Sequence, residues 1–253
     1  KMTKENLLKQ IRQYFWKNNF TEIDITYLNS ALPLETNLYA FETTWVHQNK
    51  KFYLPCSPET ALKEYLAKNR QKCFAISHCF RDLEDSGPQH SPEFLMLEWY
   101  EPDKNLTQLI DSTKKFINHF MKIDFTTYRL PSNLPQNEAD FNQYFLNKIE
   151  PTLPKNKAVF VTGYPAYLSP LAKSNQKIAQ RFELYINGIE IANACIENTN
   201  SNFIKASFKK EAEYRQKNHL PSHPINPDFA QNCSTLGLCS GIGLGLDRFL
   251  HLL

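Results

Sequence analysis

The amino-acid sequence predicts an α+β fold in which helices flank an antiparallel β-sheet. Predicted strands outnumber predicted helices along the 253 residues, and many neighbouring strands are separated by turns short enough for hairpins. The clearest turn is Asn187-Gly188 between two β-prone runs, a pair typical of a two-residue hairpin. Because hairpins join antiparallel strands, we expect an antiparallel sheet.

The composition is that of a soluble globular protein, with 42% hydrophobic and 22% charged residues. No apolar run approaches the roughly 20 residues of a membrane helix. The N-terminal segment lacks the profile of a signal peptide, so we expect a cytoplasmic protein. A net charge of +3 is too small to indicate nucleic acid. The six cysteines form no CxxC pair, which argues against a zinc site and a disulfide framework.

The order of the elements follows from local patterns. Helical spacing of apolar residues predicts a first helix at 3–18, with Thr3 as its N-cap. A second helix is predicted to begin at Ser57, with Pro58 in its first position. The other predicted elements are strands at 20–28, 39–46, 51–55, 73–81, 93–101, 158–162 and 180–197, helices at 105–121 and 205–218, and a glycine-rich strand leading into a last helix. Residues 124–158 are expected to be an insertion with one helix, within a single domain spanning 1–253.

The segment FRDLEDSGPQHSPEFLMLEWY places charged groups in a predicted hairpin. Alternation puts Phe94, Met96, Glu98 and Tyr100 on one face of its second strand. A carboxylate on a half-buried strand is costly unless it is paired or meets a ligand. This pattern leaves two interpretations open: a salt bridge between Arg81 and Glu98 that only pins the hairpin, or a ligand site.

The segment FELYINGIEIANACIE carries two glutamates on another predicted hairpin. A two-residue turn places Glu183 opposite Ala192 and puts Glu183 and Glu190 on one face, diagonally adjacent. Such a pair repels unless a cation neutralises it, and carboxylates that bridge to phosphate are typical of Mg²⁺ sites. The alternative is two solvated glutamates on an outer face. Asn193 and Glu197 join the same face only if a bulge occurs near Ala192.

Glycine is sparse except near the C-terminus. The chain has only 7 glycines, and four of them (237, 241, 243 and 245) lie within nine residues. Apolar residues alternate with glycine in GIGLGLDR, which indicates a strand whose bare face lets a flat ligand approach closely. No GK[ST] or βαβ unit accompanies it, so it is neither a P-loop nor a dinucleotide fingerprint.

In their order along the chain, these segments resemble the signature motifs of class II aminoacyl-tRNA synthetases. FRDLE…HSPEFLMLE is similar to motif 2 and GIGLGLDR to motif 3, while TEIDITYLNSALPLETNLYAFET stands in the place of motif 1. The lysyl-tRNA synthetase subgroup is similar through SPE, HSPEFLMLEWY and GIEIANACIE. Its short paralogues, the elongation factor P–(R)-β-lysine ligases, are similar through SPE and LEWY. The resemblance covers nearly the whole chain and implies the class II sheet with flanking helices, without an anticodon-binding domain.

The resemblance implies a role for each matching residue. Arg81 would bridge the substrate carboxylate and the ATP α-phosphate, and Arg248 would stack on adenine and hold the γ-phosphate. The other implied ATP-binding residues are Glu84, His90, Phe94, Gly243 and Gly245, with Glu183 and Glu190 holding Mg²⁺. The implied amino-acid-binding residues are Ser57, Glu59, Glu98, Tyr100, Asn193, Glu197 and Gly243. Several carboxylates in one pocket suit a dicationic, lysine-like amino acid.

The activity implied is ATP-dependent activation of lysine or (R)-β-lysine and its transfer to a lysine of elongation factor P, by a homodimer that does not use tRNA. Two alternatives stay open: a stand-alone enzyme that charges tRNA or another carrier, and an inactive regulatory paralogue. The spacing Arg81-Asp-Leu-Glu84 is one residue longer than the family's Arg-x-Glu. Ala194-Cys195-Ile196 stands where relatives have Gly-Phe and one further residue. Gly243 is synthetase-like where the β-lysine ligases have alanine, so the choice between α- and β-lysine stays open.

Overall fold

The computed structural model describes residues 2–83, 87 and 91–253, and within them seven α-helices and twelve β-strands. The helices are α1 (Lys4–Lys17), α2 (Glu59–Asn69), α3 (Leu106–Phe120), α4 (Glu138–Tyr144), α5 (Ser201–Lys217), α6 (Phe229–Thr235) and α7 (Leu246–Leu252). The strands are β1 (Thr21–Glu22), β2 (Glu42–Trp45), β3 (Lys50–Tyr53), β4 (Cys73–Phe80), β5 (Glu93–Pro102), β6 (Phe125–Arg129), β7 (Ala158–Thr162), β8 (Ser174–Asn175), β9 (Ile178–Ala179), β10 (Arg181–Ile186), β11 (Ile189–Ile196) and β12 (Cys239–Gly245).

Eight strands form one sheet in the order β1-β4-β5-β12-β11-β10-β7-β6. The strands from β4 to β7 in this order pair antiparallel, as the hairpin pattern predicted. The two edge pairs, β1 with β4 and β6 with β7, are parallel, so the sheet is mixed rather than purely antiparallel. The α+β fold class is confirmed, with the antiparallel part at the centre of the sheet.

One face of the sheet is covered by α1, α3 and α7. Leu95, Leu97 and Trp99 of β5 point into this layer, where they meet apolar side chains of the helices such as Phe15 and Phe116. The core includes alternate residues of β10 and β12 as well, because side chains alternate across a strand. The opposite face therefore receives the polar residues and glycines that interrupt these strands.

Several local predictions need adjustment. The helix predicted from Ser57 begins at Glu59, with Pro58 as its N-cap residue. The strand predicted at 20–28 is reduced to Thr21–Glu22, because the chain leaves the sheet edge after Ile23 donates its backbone N–H to the Phe74 carbonyl. The Thr3 N-cap is confirmed, since its side chain accepts the Asn6 N–H.

The segment 124–158, expected to be an insertion, packs closely against the sheet. Its first part forms β6 at the sheet edge. Its apolar residues, including Phe141, Phe145 and Leu153, build a second core with β7 and with Tyr164 and Tyr185. The segment therefore supports the end of the sheet that carries Glu183.

Among the described residues, no helix combines the length and apolarity that crossing a bilayer requires.

Candidate active site

The polar face of the sheet forms the floor of a cavity of about 1130 Å³. All of the sequence-predicted site residues that the structure describes line it: Ser57, Glu59, Arg81, Phe94, Glu98, Tyr100, Glu183, Glu190, Asn193, Glu197, Gly243, Gly245 and Arg248. Glu84 and His90, predicted to bind ATP, lie outside the described residues. Segments far apart in sequence thus converge on one cavity.

The strand register explains this convergence. Gly243 of β12 pairs with Glu98 of β5 on one side and with Asn193 of β11 on the other, and Asn193 pairs with Glu183 of β10. These residues form one row across the sheet, and Gly243 contributes no side chain in the middle of that row. A Cβ at Gly243 would meet the Met96 Sδ at 3.6 Å, an ordinary contact, so there is room for a methyl group at this position.

Gly241 has a different role. A Cβ there would overlap the ring of Tyr100 and the carboxylate of Glu197. Tyr100 therefore lies against the bare backbone of Gly241, and its hydroxyl donates to Glu98 Oε1 at 2.7 Å. The glycine at 241 is required by packing within the protein, whereas Gly243 leaves room for a ligand.

A β-bulge brings Asn193 and Glu197 to the cavity, as the sequence analysis required. The pairing of Tyr185 with Glu190 is as predicted, but the register shifts by one residue between Leu184 and Tyr185. Glu183 consequently pairs with Asn193 and not with Ala192, so that prediction was wrong. Because the bulge adds one residue to β11, the side chains of Asn193 and Glu197 lie on the same face of the sheet as Glu190, which is the face of the cavity.

The Glu183 carboxylate is held by three donors. Arg181 forms an ion pair with its Oε1, and the hydroxyls of Tyr164 and Tyr185 donate to its Oε2 at 2.5 and 2.9 Å. Arg181 also donates to Asn193 Oδ1 at 2.9 Å. This arginine was missed by the sequence analysis, although its position two residues before Glu183 on a strand places both side chains on one face.

Glu190 lies near Glu183 and Arg248. Its side chain is 39% exposed, against 11% for Glu183, and its Oε2 is 3.9 Å from Arg248 Nη1. Enclosure by the cavity walls, followed by the charge of Glu183, raises the pKa of Glu190 to about 7. Two mutually repelling carboxylates at a cavity wall fit a hard divalent cation whose remaining ligands come from phosphate oxygens.

Two further contacts fasten the C-terminal motif to the sheet. Arg248 Nη1 donates to the Glu190 carbonyl at 3.0 Å. The Asp247 carboxylate accepts the Leu95 N–H at 2.7 Å and lies 3.2 Å from Lys4 Nζ. The start of α7 is thereby tied to β5, which keeps Arg248 beside the cavity.

Behind the lining residues Glu59 and Glu197 lies a buried cation that the sequence analysis did not identify. Lys63 of α2 places its Nζ 2.5 Å from Glu59 Oε1 and 2.6 Å from Glu197 Oε2. The same ammonium lies 5.1 Å from the centroid of the Phe229 ring. Its spacing four residues after Glu59 on a helix could have revealed the first of these pairs.

Glu98 and Arg81 also line the cavity. Burial, and then the charge of Glu59, raises the pKa of Glu98 well above its usual value. The guanidinium of Arg81 lies 5.0 Å from the centroid of the Phe94 ring, and its Nε donates to the Cys56 carbonyl at 3.4 Å. Arg81 thus faces the cavity at the root of the motif 2 hairpin, beside the predicted adenine-binding ring.

Glu35 also lines the cavity and was missed by the sequence analysis. It lies in the long connection between β1 and β2, where no periodicity assigns a side chain to a face. Desolvation, and then the charge of Glu59, raises the pKa of Glu35 to about 8.

A large sheet with an antiparallel centre, a glycine-rich strand followed by an arginine, and carboxylates that face this arginine define a class II synthetase catalytic domain. Residues 2–253 match the family described as tRNA synthetases class II (D, K and N), and the chain belongs to that family.

Its curated relatives include proteins named elongation factor P–(R)-β-lysine ligase. The protein of Buchnera aphidicola subsp. Acyrthosiphon pisum (strain APS) is 30% identical, over 99% of this chain and 90% of the relative. That of Pseudoalteromonas translucida (strain TAC 125) is 30% identical, over 97% and 88%. That of Proteus mirabilis (strain HI4320) is 27% identical, over 99% and 90%. The first alignment spans 292 positions, more than the 253 residues here, so it opens gaps in this chain.

Proposed function

We propose that this chain activates lysine or β-lysine with ATP and transfers the acyl group to a lysine side chain of elongation factor P. The observation that carries the proposal is the convergence, in one cavity, of Arg81 and Arg248 with a set of buried carboxylates. The arginines suit the phosphates of ATP, and the carboxylates suit a dicationic amino acid.

The first half-reaction needs charge neutralisation and alignment more than a general base. A carboxylate oxygen of the amino acid attacks the α-phosphorus, the bond from that phosphorus to the bridging oxygen breaks, and pyrophosphate leaves. Arg81 holds the attacking carboxylate and the α-phosphate, so it stabilises charge that develops between them. Phe94 supports adenine from below, and Arg248 stacks above it and holds the γ-phosphate.

Glu183 and Glu190 are the residues that would hold Mg²⁺. When bound, the ion neutralises phosphate charge and restrains the pyrophosphate group. Glu190 offers the more open carboxylate, because Glu183 is already held by Arg181, Tyr164 and Tyr185. The contacts with Arg181, Tyr164 and Tyr185 fix the position of Glu183 beside Glu190.

The amino-acid end is formed by Glu59, Glu98, Tyr100, Asn193 and Glu197. Lys63 neutralises part of this set, so the cavity is less acidic than its glutamates alone suggest. Glu98, held by the Tyr100 hydroxyl, points its remaining oxygen towards the space above Gly243. We assign the distal ammonium of the substrate to Glu98.

In the second half-reaction, a neutral lysine amine of the acceptor attacks the acyl carbon, an amide bond forms, and AMP leaves with release of a proton. The names of the relatives support elongation factor P as acceptor. We also propose a homodimer. Its support is the exposed apolar surface of the β2–β3 hairpin that follows the motif 1 segment, where Trp45 is 48% and Val46 is 84% exposed. Sedimentation of the purified chain tests this part.

The acceptor is tested by incubating the chain with ATP, Mg²⁺ and each lysine isomer, in the presence of elongation factor P or of purified tRNA. We expect elongation factor P to gain the mass of one lysyl group and tRNA to stay uncharged. Charged tRNA with unmodified elongation factor P would instead support the stand-alone charging enzyme. The matched control is elongation factor P whose acceptor lysine is replaced by arginine, which has no nucleophilic amine at neutral pH.

A further inference from the structure

Glu35 faces the same cavity as Glu59 and Arg81 but has no role in the function proposed above. The residue as a whole is partly exposed because it borders the cavity, while its carboxyl group is enclosed by protein and lies within hydrogen-bonding reach of the Glu59 carboxyl group. Two carboxyl groups this close either share a proton or receive a cation between them. The arrangement is that of a cation-binding pair built into a substrate cavity.

The loop that carries Glu35 is held in place by hydrogen bonds from α5 to its backbone. Arg215 of α5 is completely buried, and its Nη2 donates to the carbonyls of Glu35 and Leu38 at 2.6 and 2.9 Å. Its Nε is bound to Glu211 at 2.7 Å. Leu34, the preceding residue, is buried in the core formed with α5 and α6. The position of Glu35 is therefore set before any ligand arrives, as a recognition residue requires.

The charges around Glu35 and Glu98 place these residues at different ends of the amino-acid pocket. Glu59, Lys63 and Arg81 are the charges that act most strongly on Glu35. Those that act most strongly on Glu98 are Glu59, Lys63 and Glu197. Glu98 is held by Tyr100, whose ring lies with the Glu197 carboxylate against Gly241, so Glu98 belongs to the buried end of the pocket. Glu35 is the carboxyl group on which the charge of Arg81 acts.

We propose that Glu35, paired with Glu59, binds the ammonium group closest to the substrate carboxylate and so determines where the substrate must carry that amine. The inference rests on the proposed function for two points, the assignment of the substrate carboxylate to Arg81 and that of the distal ammonium to Glu98. An amine on the first or second carbon from that carboxylate lies within a few ångströms of Arg81, which is where Glu35 and Glu59 meet. The distal ammonium goes to Glu98.

This assignment predicts a proton exchange. Without ligand, the raised pKa of Glu35, about 8, leaves the carboxyl group of Glu35 protonated at neutral pH, with Lys63 and Arg81 as the facing cations. An ammonium placed beside the Glu35 carboxyl group favours its ionised form, so the proton is released on binding. Binding of the distal ammonium likewise favours the ionised form of the neighbouring Glu98.

The test uses two ligands that differ only in the proximal amine: the preferred lysine isomer and 6-aminohexanoate. Calorimetry measures their affinities for the wild type, Glu35→Gln, Glu35→Asp and the control Glu64→Gln, whose exposed carboxylate pairs with Lys68 on the outer side of α2. We expect Glu35→Gln to weaken binding of the lysine isomer about tenfold or more, and binding of 6-aminohexanoate less than twofold. Proton release, measured in buffers of different ionisation enthalpy, should fall with the same variant.

Equal losses for both ligands, or no loss for either, would overturn the assignment. Glu35→Asp keeps the charge and should retain part of the preference for the lysine isomer over 6-aminohexanoate. This variant therefore provides the measurement if Glu35→Gln fails to fold. Wild type that binds both ligands but shows no ATP–pyrophosphate exchange would refute the proposed function and leave the binding role of Glu35 intact.

Discussion

Lys63 Nζ lies 2.6 Å from Glu197 Oε2, and both side chains are almost completely buried at the inner end of the cavity. The same ammonium binds Glu59, so one cation of the protein connects two carboxylates that the sequence analysis assigned to the substrate. The pocket is therefore partly neutralised in advance, and the substrate has to satisfy only the remaining negative charge. Removing Lys63 should affect folding and binding together.

Lys63→Met should lower the free energy of unfolding by about 3–5 kcal/mol, because it leaves two buried carboxylates without their cation. Urea denaturation measures the change. The matched control is Lys68→Met on the same helix, where the partner Glu64 is exposed and the loss should stay below about 1 kcal/mol. Adding Glu197→Gln to Lys63→Met should recover part of the stability. Equal, small losses for both lysine variants would show that the buried pair is not a structural requirement.

The pKa values of Glu35 and Glu190 predict how stability depends on pH. Both are raised from 4.5, to about 8 and about 7, so the folded protein without ligand holds protons that the unfolded chain has released. Their contribution is full below pH 4.5 and is lost as pH rises through 7 to 8. His223, whose burial lowers its pKa, acts in the opposite sense.

The comparison is therefore between the wild type and the double variant Glu35→Gln/Glu190→Gln, with His223 present in both. The stability difference between them should change in favour of the double variant as pH is raised from 5 to 8, followed by thermal or urea unfolding. A difference that does not vary with pH would contradict the assigned protonation states.

Glu190 should also make the binding of MgATP pH-dependent. Below its pKa of about 7 the carboxyl group is protonated and a poor ligand for Mg²⁺, so affinity should rise between pH 6 and pH 8. Calorimetry with MgATP measures this, and Glu190→Gln should bind weakly with a flatter profile. Glu150→Gln, a change at a carboxylate near Glu183 but outside the cavity lining, is the control and should keep the wild-type slope.

The glycines of β12 should respond differently to alanine. Gly241→Ala forces a methyl group into Tyr100 and Glu197, which should cost about 1–3 kcal/mol of stability. Gly243→Ala meets its nearest neighbours at 3.6 and 3.8 Å, so the protein should fold normally and show a raised KM for the amino acid. The two variants therefore distinguish a glycine that is needed for packing from one that is needed for ligand binding. Unchanged kinetics in Gly243→Ala would show that Gly243 does not contribute to the substrate site.

Alternation along strands was enough to predict the side of the sheet on which Glu98, Tyr100 and Glu183 lie. The bulge in β11 was expected near Ala192 only as the condition for Asn193 and Glu197 to join the site, because a one-residue register shift leaves no composition signal; the structure has it there. Lys63 and Arg181 could have been found from their spacing. Lys63 lies four residues after Glu59 on a predicted helix, and Arg181 lies two residues before Glu183 on a predicted strand. Glu35 had none, because its position depends on Arg215, which is 180 residues away in sequence. Tertiary hydrogen bonds to a loop cannot be inferred from local pattern.

The most direct test of the central claim is ATP–pyrophosphate exchange with α-lysine, (R)-β-lysine, (S)-β-lysine and ornithine. We expect exchange that depends on a lysine isomer and falls by about 10²–10³-fold in Arg81→Ala. The exposed Arg129→Ala serves as a control that keeps wild-type exchange. Absence of exchange with every isomer, in folded protein that binds MgATP, would contradict the claim.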